Sequence, residues 1–131
     1  TKIFGIKGMR YLAEDIANWP NILPESKLSL TLLLGYVWIE EAGTGGGVFR
    51  TLYSRFLKEA SDALRNDEIS KASQLMMKSA NTWADVAKML FRGSKTSNLN
   101  KITSILITAK EKITQSAELE EKAFRQLKTI L

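Results

Sequence analysis

Apolar residues recur at i, i+3 and i+4 along nearly the whole 131-residue chain, and no β-hairpin signal interrupts them. Met9, Leu12, Ala13, Ile16 and Trp19 form a first stripe, which Pro20 is expected to stop. The segment from about Ser26 to Ala42 differs. Leu28, Leu30, Leu32, Leu33, Leu34, Val37, Trp38 and Ile39 surround it almost completely, which predicts a central helix buried on most faces. In a third segment Phe49, Leu52, Tyr53, Phe56, Leu57, Ala60 and Leu64 keep helical spacing. A fourth, capped by Asn66 or Asp67, carries the seam Ile69, Ala72, Met76, Ala80, Trp83, Ala87 and Leu90, and Gly93 is expected to end it. The last runs from about Ser97 to the C-terminus, a rod of about 50 Å at ~1.5 Å per residue. Short connectors between such segments imply antiparallel neighbours. The pattern therefore predicts an all-α fold: a single-domain antiparallel helical bundle of about five helices with a long C-terminal helix. Trp19, Trp38 and Trp83 fall on apolar stripes and are expected in the core.

Composition narrows the chemistry more than the fold. Hydrophobic residues make up 44% and charged ones 25%, a globular balance. The absence of cysteine excludes disulfides, thiolate metal sites and a cysteine nucleophile. The absence of histidine removes the commonest general base and the commonest metal ligand. Chemistry confined to this chain would have to rest on carboxylates, lysine, tyrosine or serine, and no cofactor or metal is expected. No apolar run approaches the ~20 residues of a membrane span, and no signal peptide is recognisable, so the expected setting is cytoplasmic. The chain opens on Thr1, as expected of a processed product, a tagged chain or a module cut from something longer.

The least ordinary stretch is Glu40-Glu41-Ala42-Gly43-Thr44-Gly45-Gly46-Gly47-Val48-Phe49-Arg50. Thr44 suits an N-cap for the third helix, with its hydroxyl facing the Gly47 amide, and Gly45, Gly46 and Gly47 leave first-turn amides open to an anion. The Lys-Ser/Thr ending of a P-loop is missing, as is a preceding strand. A close helix-helix corner explains the glycines equally well. The flanking charges are harder to dismiss. Glu40 and Glu41 sit at a helix C-terminus and Arg50 near a helix N-terminus, each opposing the local dipole at about 0.3–1 kcal/mol when exposed. Either water solvates them or Arg50 reaches a glutamate. Glu120 is a second anomaly: both registers of the last apolar seam, through Ser116 or through Ala117, land on it. A carboxylate there is costly unless paired, so Glu120 is expected to meet Arg50, Tyr53 or the corner amides, unless the long helix has already left the bundle.

The formal net charge of +5 points only weakly to an anionic partner. Lys88, Arg92, Lys95 and Lys101 gather around the fourth turn, followed by Lys110 and Lys112. They form either a solvated face or a docking surface for something acidic. Without interleaved aromatics, nucleic acid is the less favoured partner.

Phe4-Gly5-Ile6-Lys7-Gly8-Met9-Arg10 with Leu12-Ala13-Glu14-Asp15, the Gly43–Arg50 block, Leu52-Tyr53 and Phe56-Leu57-Lys58-Glu59-Ala60 resemble one family. Trp83 with Ala87, and Glu120, also look like its pattern. It is the helical domain of unknown function that follows the N-terminal domain of butirosin biosynthesis protein H-like proteins. The resemblance implies a cysteine-peptidase-like partner domain that carries the nucleophile. It also implies acyl transfer from a carrier protein to an aminoglycoside, as in the founding member. On that analogy the corner lines a cleft and the basic face suits an acidic carrier protein. The two leading expectations are thus a substrate- or carrier-binding half of an acyltransferase- or peptidase-like protein, and a free-standing helical interaction bundle. Substrate and oligomeric state stay open.

Overall fold

The two longest helices begin at asparagine caps. The Asn66 side chain accepts from the Glu68 amide at 2.9 Å, and Asn98 accepts from the Lys101 amide at 3.1 Å. The computed structural model describes residues 5–41 and 47–130, without the side chain of Glu41. It holds α1 (Gly5–Ile22), α2 (Glu25–Tyr36), α3 (Gly47–Leu64), α4 (Asp67–Ser94) and α5 (Leu99–Lys128). A π-helical turn, Val37–Glu41, prolongs α2. Among the described residues there is no strand, so the fold is all-α as its periodicity implies.

Four helices close a ring: α1 lies on α5, α5 on α4, α4 on α2, and α2 touches α1. Ile16, Leu28, Leu32, Leu90, Leu106 and Ile113 fill its centre, all nearly inaccessible. The α4 seam from Ile69 to Leu90 is buried at every predicted position. Along α5 the run Ile102, Leu106, Ala109, Ile113 and Ala117 is buried as well. In the ring it is α4 that is central, because α5, α2 and α3 all pack on it.

The expectation of a central second helix is corrected. α2 buries Leu28 and Leu32 but leaves Leu30 and Leu34 exposed, since α4 covers one of its faces and no helix covers the outer one. Trp38, expected in the core, is 61% exposed on the π turn, whereas Trp83 is buried and Trp19 half-buried. Two expected helix ends also move. Pro20 lies inside the last turn of α1, where it forgoes one helical hydrogen bond, and the Leu23 amide still bonds the Trp19 carbonyl at 2.9 Å. α4 passes through Gly93, which is a packing glycine: an added Cβ would meet Leu32 Cδ1 at 3.1 Å.

α3 stands outside the ring and turns in an unexpected direction. Of its predicted stripe only Leu57 is buried, and Phe49, Leu52, Phe56 and Leu64 face solvent. The side against α4 is instead Gly47, Arg50, Ser54, Leu57 and Ser61. Small residues let the two backbones approach. A Cβ on Gly47 would sit 3.3 Å from the Ala80 carbonyl. Ser54 and Ser73 donate to each other's carbonyls, at 2.7 Å in both directions. Large side chains cannot enter so narrow a seam, so the aromatic residues are displaced to the outer face. Leu57 joins Ile69, Ala72, Met76 and Ala123 in a small second core under α3, α4 and α5.

This placement reverses what the stripe alone would predict for two neighbouring residues. Leu57→Ala should destabilise the protein by about 2–5 kcal/mol, the usual loss for a buried leucine. Phe56→Ala should stay within about 0.5 kcal/mol, as for a surface change. Urea denaturation of both variants checks the order.

Candidate functional site

α3 contributes its fourth residue to the site, and that residue is charged. Arg50 points from α3 towards the junction of α1, α4 and α5, where it is buried with Glu120 of α5. Its Nε donates to Glu120 Oε2, and its Nη2 donates to Oε1 at 3.3 Å. Nη2 also lies 3.5 Å from the Met9 sulfur on α1. The guanidinium carbon is 4.9 Å from the centre of the Trp83 ring on α4. Glu120 Oε2 accepts a further bond from the Ser79 hydroxyl of α4 and lies 3.3 Å from the Ser116 hydroxyl one turn back on α5. The Ser116 hydroxyl donates to the Ser79 oxygen. One carboxylate on α5 thus gathers donors from α3 and α4.

The expected inward Glu120 is therefore what the structure contains, and of its candidate partners it meets Arg50. A cation in the first turn of α3 opposes the helix dipole, and the Glu120 carboxylate offsets that cost across the helix junction. Removing either partner would leave an uncompensated buried charge. Both Glu120 oxygens already accept hydrogen bonds and little of the side chain meets water. Such a carboxylate is poorly placed to take a proton from a substrate, so the pair acts as a clamp between α3 and the ring.

Other predicted residues sit elsewhere. Tyr53 is half-buried against the second core, stacked between Phe49 and Phe56 at 6.2 and 6.3 Å. Gly47 abuts α4, and Glu40 lies beside it, its Oε1 3.8 Å from where a Gly47 Cβ would be. Among the described residues Glu40 forms no ion pair, and the ion pair of Arg50 is with Glu120. The expectations for the Glu41 side chain, Thr44, Gly45 and Gly46 fall outside the described residues. Glu40, Gly47, Val48, Thr51, Leu52, Arg55 and Ala84 line a cleft of about 250 Å³ at the start of α3.

The predicted basic residues are distributed over α4, the turn that follows it and the start of α5. Lys88 and Arg92 share the outer side of α4, and the Lys95 ammonium lies 5.0 Å from the centre of the Phe91 ring. Lys101 is in the first turn of α5, beside Asn98, Asn100, Ser104 and Ile105. Lys110 pairs with Glu14 at 3.0 Å and Lys112 with Asp85 at 3.4 Å. Ser79 and Met9 belong to the buried cluster, although their sequence context gave no sign of a polar role. Ser79 lies on the inner face of α4 between Met76 and Trp83, and a hydroxyl on such a face was the signal available. The Trp83 indole nitrogen is buried without a hydrogen-bond partner among the described residues.

Beside the buried pair, Glu121 ties α1 to α5 at the surface. Arg10 donates to it at 2.8 Å, and Arg125 does the same from one turn on. The Arg10 hydrogen bond, opposed in part by desolvation and aided by Arg125, holds the Glu121 carboxyl below its ordinary value. Its folded-state value is depressed, so the contribution is present above the ordinary glutamate value of about 4.3 and fades as pH falls through the folded value.

Among the described residues no helix is long and apolar enough to cross a membrane, and no three acidic residues converge to hold a metal ion. The family model of a domain of unknown function, DUF4872, matches residues 1–127, and the chain belongs to that family. No curated protein and no solved structure matches it.

Two measurements check the site. Glu120→Leu should lower stability by about 3–5 kcal/mol by stranding Arg50, and Arg50→Met combined with Glu120→Leu should recover much of the loss. A melting temperature for Glu120→Leu equal to or above the parent's would contradict a buried pair. Carbon-13 titration of the Glu121 carboxyl should give a midpoint below the ordinary glutamate value, and Arg10→Ala should move it upward.

Proposed function

We propose that this DUF4872 chain is a non-catalytic docking module whose α3 carries a catalytic domain on its apolar face. The nucleophile belongs to that domain. The observation that carries this reading is the direction in which α3 faces. Phe49, Leu52 and Phe56 are 57%, 58% and 61% exposed, while the arginine and serines of the same helix are buried. Contiguous apolar surface of this kind marks an interaction site. Its aromatic rings already stack on one another, so little side-chain freedom remains to be lost on binding. Trp38, on the π turn, offers a further exposed anchor of the type favoured at interfaces.

The sequence resemblance to butirosin biosynthesis protein H-like proteins supports the kind of partner: a cysteine-peptidase-like domain that transfers acyl groups. A chain without cysteine or histidine fits that division of labour. The saturated Arg50–Glu120 pair fits it too, because it orients the docking helix instead of reacting. A second reading, a free-standing bundle binding an unrelated protein, draws on the same exposed face.

Co-expression with the sequence encoded immediately upstream of Thr1 tests the proposal. The upstream part should carry a cysteine and a histidine and co-elute with this chain. Phe49→Glu and Phe56→Glu should abolish co-elution without lowering the melting temperature. An upstream sequence with no such domain, or co-elution indifferent to both substitutions, contradicts it.

A further inference from the structure

The outer side of α4 carries a trough of about 560 Å³ lined by Tyr36, Asp85, Lys88, Met89, Phe91, Arg92 and Lys112. This is the size range of small-molecule sites. One wall is aromatic: the Tyr36 and Phe91 rings meet at 4.9 Å and are inclined by 54°, which fixes both. Met89 adds an adaptable apolar surface. The rim is cationic. Lys88 and Arg92 form no ion pair among the described residues, and Lys112 shares only a loose contact with Asp85 at 3.4 Å. Lys95 stands on the same aromatic wall, its ammonium against the Phe91 ring.

The C-terminal dipole of α4 accounts for part of this charge, since cations are favourable in a last turn. Arg92 is in that turn. Lys88 lies further back, and Lys112 is on another helix, so the dipole explains neither. Lys88 and Arg92 are one turn apart on the same face, where like charges repel. Three cations, Lys88, Arg92 and Lys112, and one carboxylate, Asp85, line the trough, so its rim is net positive towards a bound charge.

We infer that this trough binds a small organic anion, one that presents a phosphate- or carboxylate-type head to Lys88 and Arg92 and lays a flat apolar body against Tyr36, Met89 and Phe91. The two halves of the site need both halves of the ligand. A bare anion would gain the cations but leave the aromatic wall wet, and a neutral ring would gain the wall alone. Lys101, which does not line the trough, takes no part. The inference is independent of the α3 docking reading, because none of the lining residues belongs to α3.

Phenyl phosphate, inorganic phosphate and benzyl alcohol, titrated separately into the 15N-labelled chain at constant ionic strength, test the site. Phenyl phosphate should shift the Tyr36, Met89, Phe91 and Arg92 amides saturably and bind about tenfold or more tightly than either half-ligand. The exposed substitutions Lys88→Ala and Arg92→Ala should each weaken it about tenfold, with unchanged melting temperatures, while Arg55→Ala and Lys101→Ala leave it unaltered. Inorganic phosphate matching phenyl phosphate would overturn the inference. So would shifts spread over exposed lysines generally, or an acidic peptide occupying the trough where phenyl phosphate does not.

Discussion

The buried pair between Arg50 and Glu120 is the constraint on which the arrangement of this chain turns. Four helices make a ring whose apolar core would hold them together without it. α3 has no such hold on the ring beyond a narrow seam of small residues on α4 and one small cluster around Leu57. Arg50 reaches from α3 to α5, and Ser79 of α4 donates to the carboxylate it meets. Because the geometry of the guanidinium fork is directional, the pair fixes which way α3 is rotated as well as where it lies.

That rotation decides which face of the helix is exposed. The same helix could have packed with Phe49, Leu52 and Phe56 inward and its charges outward, the arrangement its apolar stripe favours. Instead the polar positions are inside and the aromatic ones are outside. Burial of a charge pair is rarely a stability device in itself, since well-packed apolar residues often do as well. Its use here is specificity: it holds an amphipathic helix in the orientation that leaves the apolar face exposed.

Much of the fold is legible in the sequence, and the exceptions share a cause. The seam of α4 could be read position by position and that of α5 from Ile102 onward, though its predicted first residue, Leu99, is exposed; Glu120 was conspicuous because it interrupted the second. The orientation of α3 and the exposure of Leu30, Leu34 and Trp38 could not be read in the same way. Periodicity says which residues share a face of a helix; it does not say whether another helix will cover that face. α2 lies at the edge of the ring and so exposes half of an apolar circumference. In α3 a second signal was present and weaker to the eye: Gly47, Ser54 and Ser61 recur every seven residues, and Arg50 and Leu57 fall between them at the same spacing. That is a close-packing seam, and it prevailed over the larger aromatic stripe because its small side chains admit a neighbouring backbone and its polar groups find partners there.

The claim that the ion pair sets the facing of α3 is tested most directly by solvent accessibility at two adjacent side chains. Relaxation by a soluble paramagnetic probe, read at Phe56 and at Leu57, should be strong at the first and weak at the second in the parent protein. In the variant carrying Arg50→Met and Glu120→Leu the contrast should shrink, as α3 loses its fixed rotation. A shielded Phe56 in the parent, or an undiminished contrast in the double variant, would contradict the account.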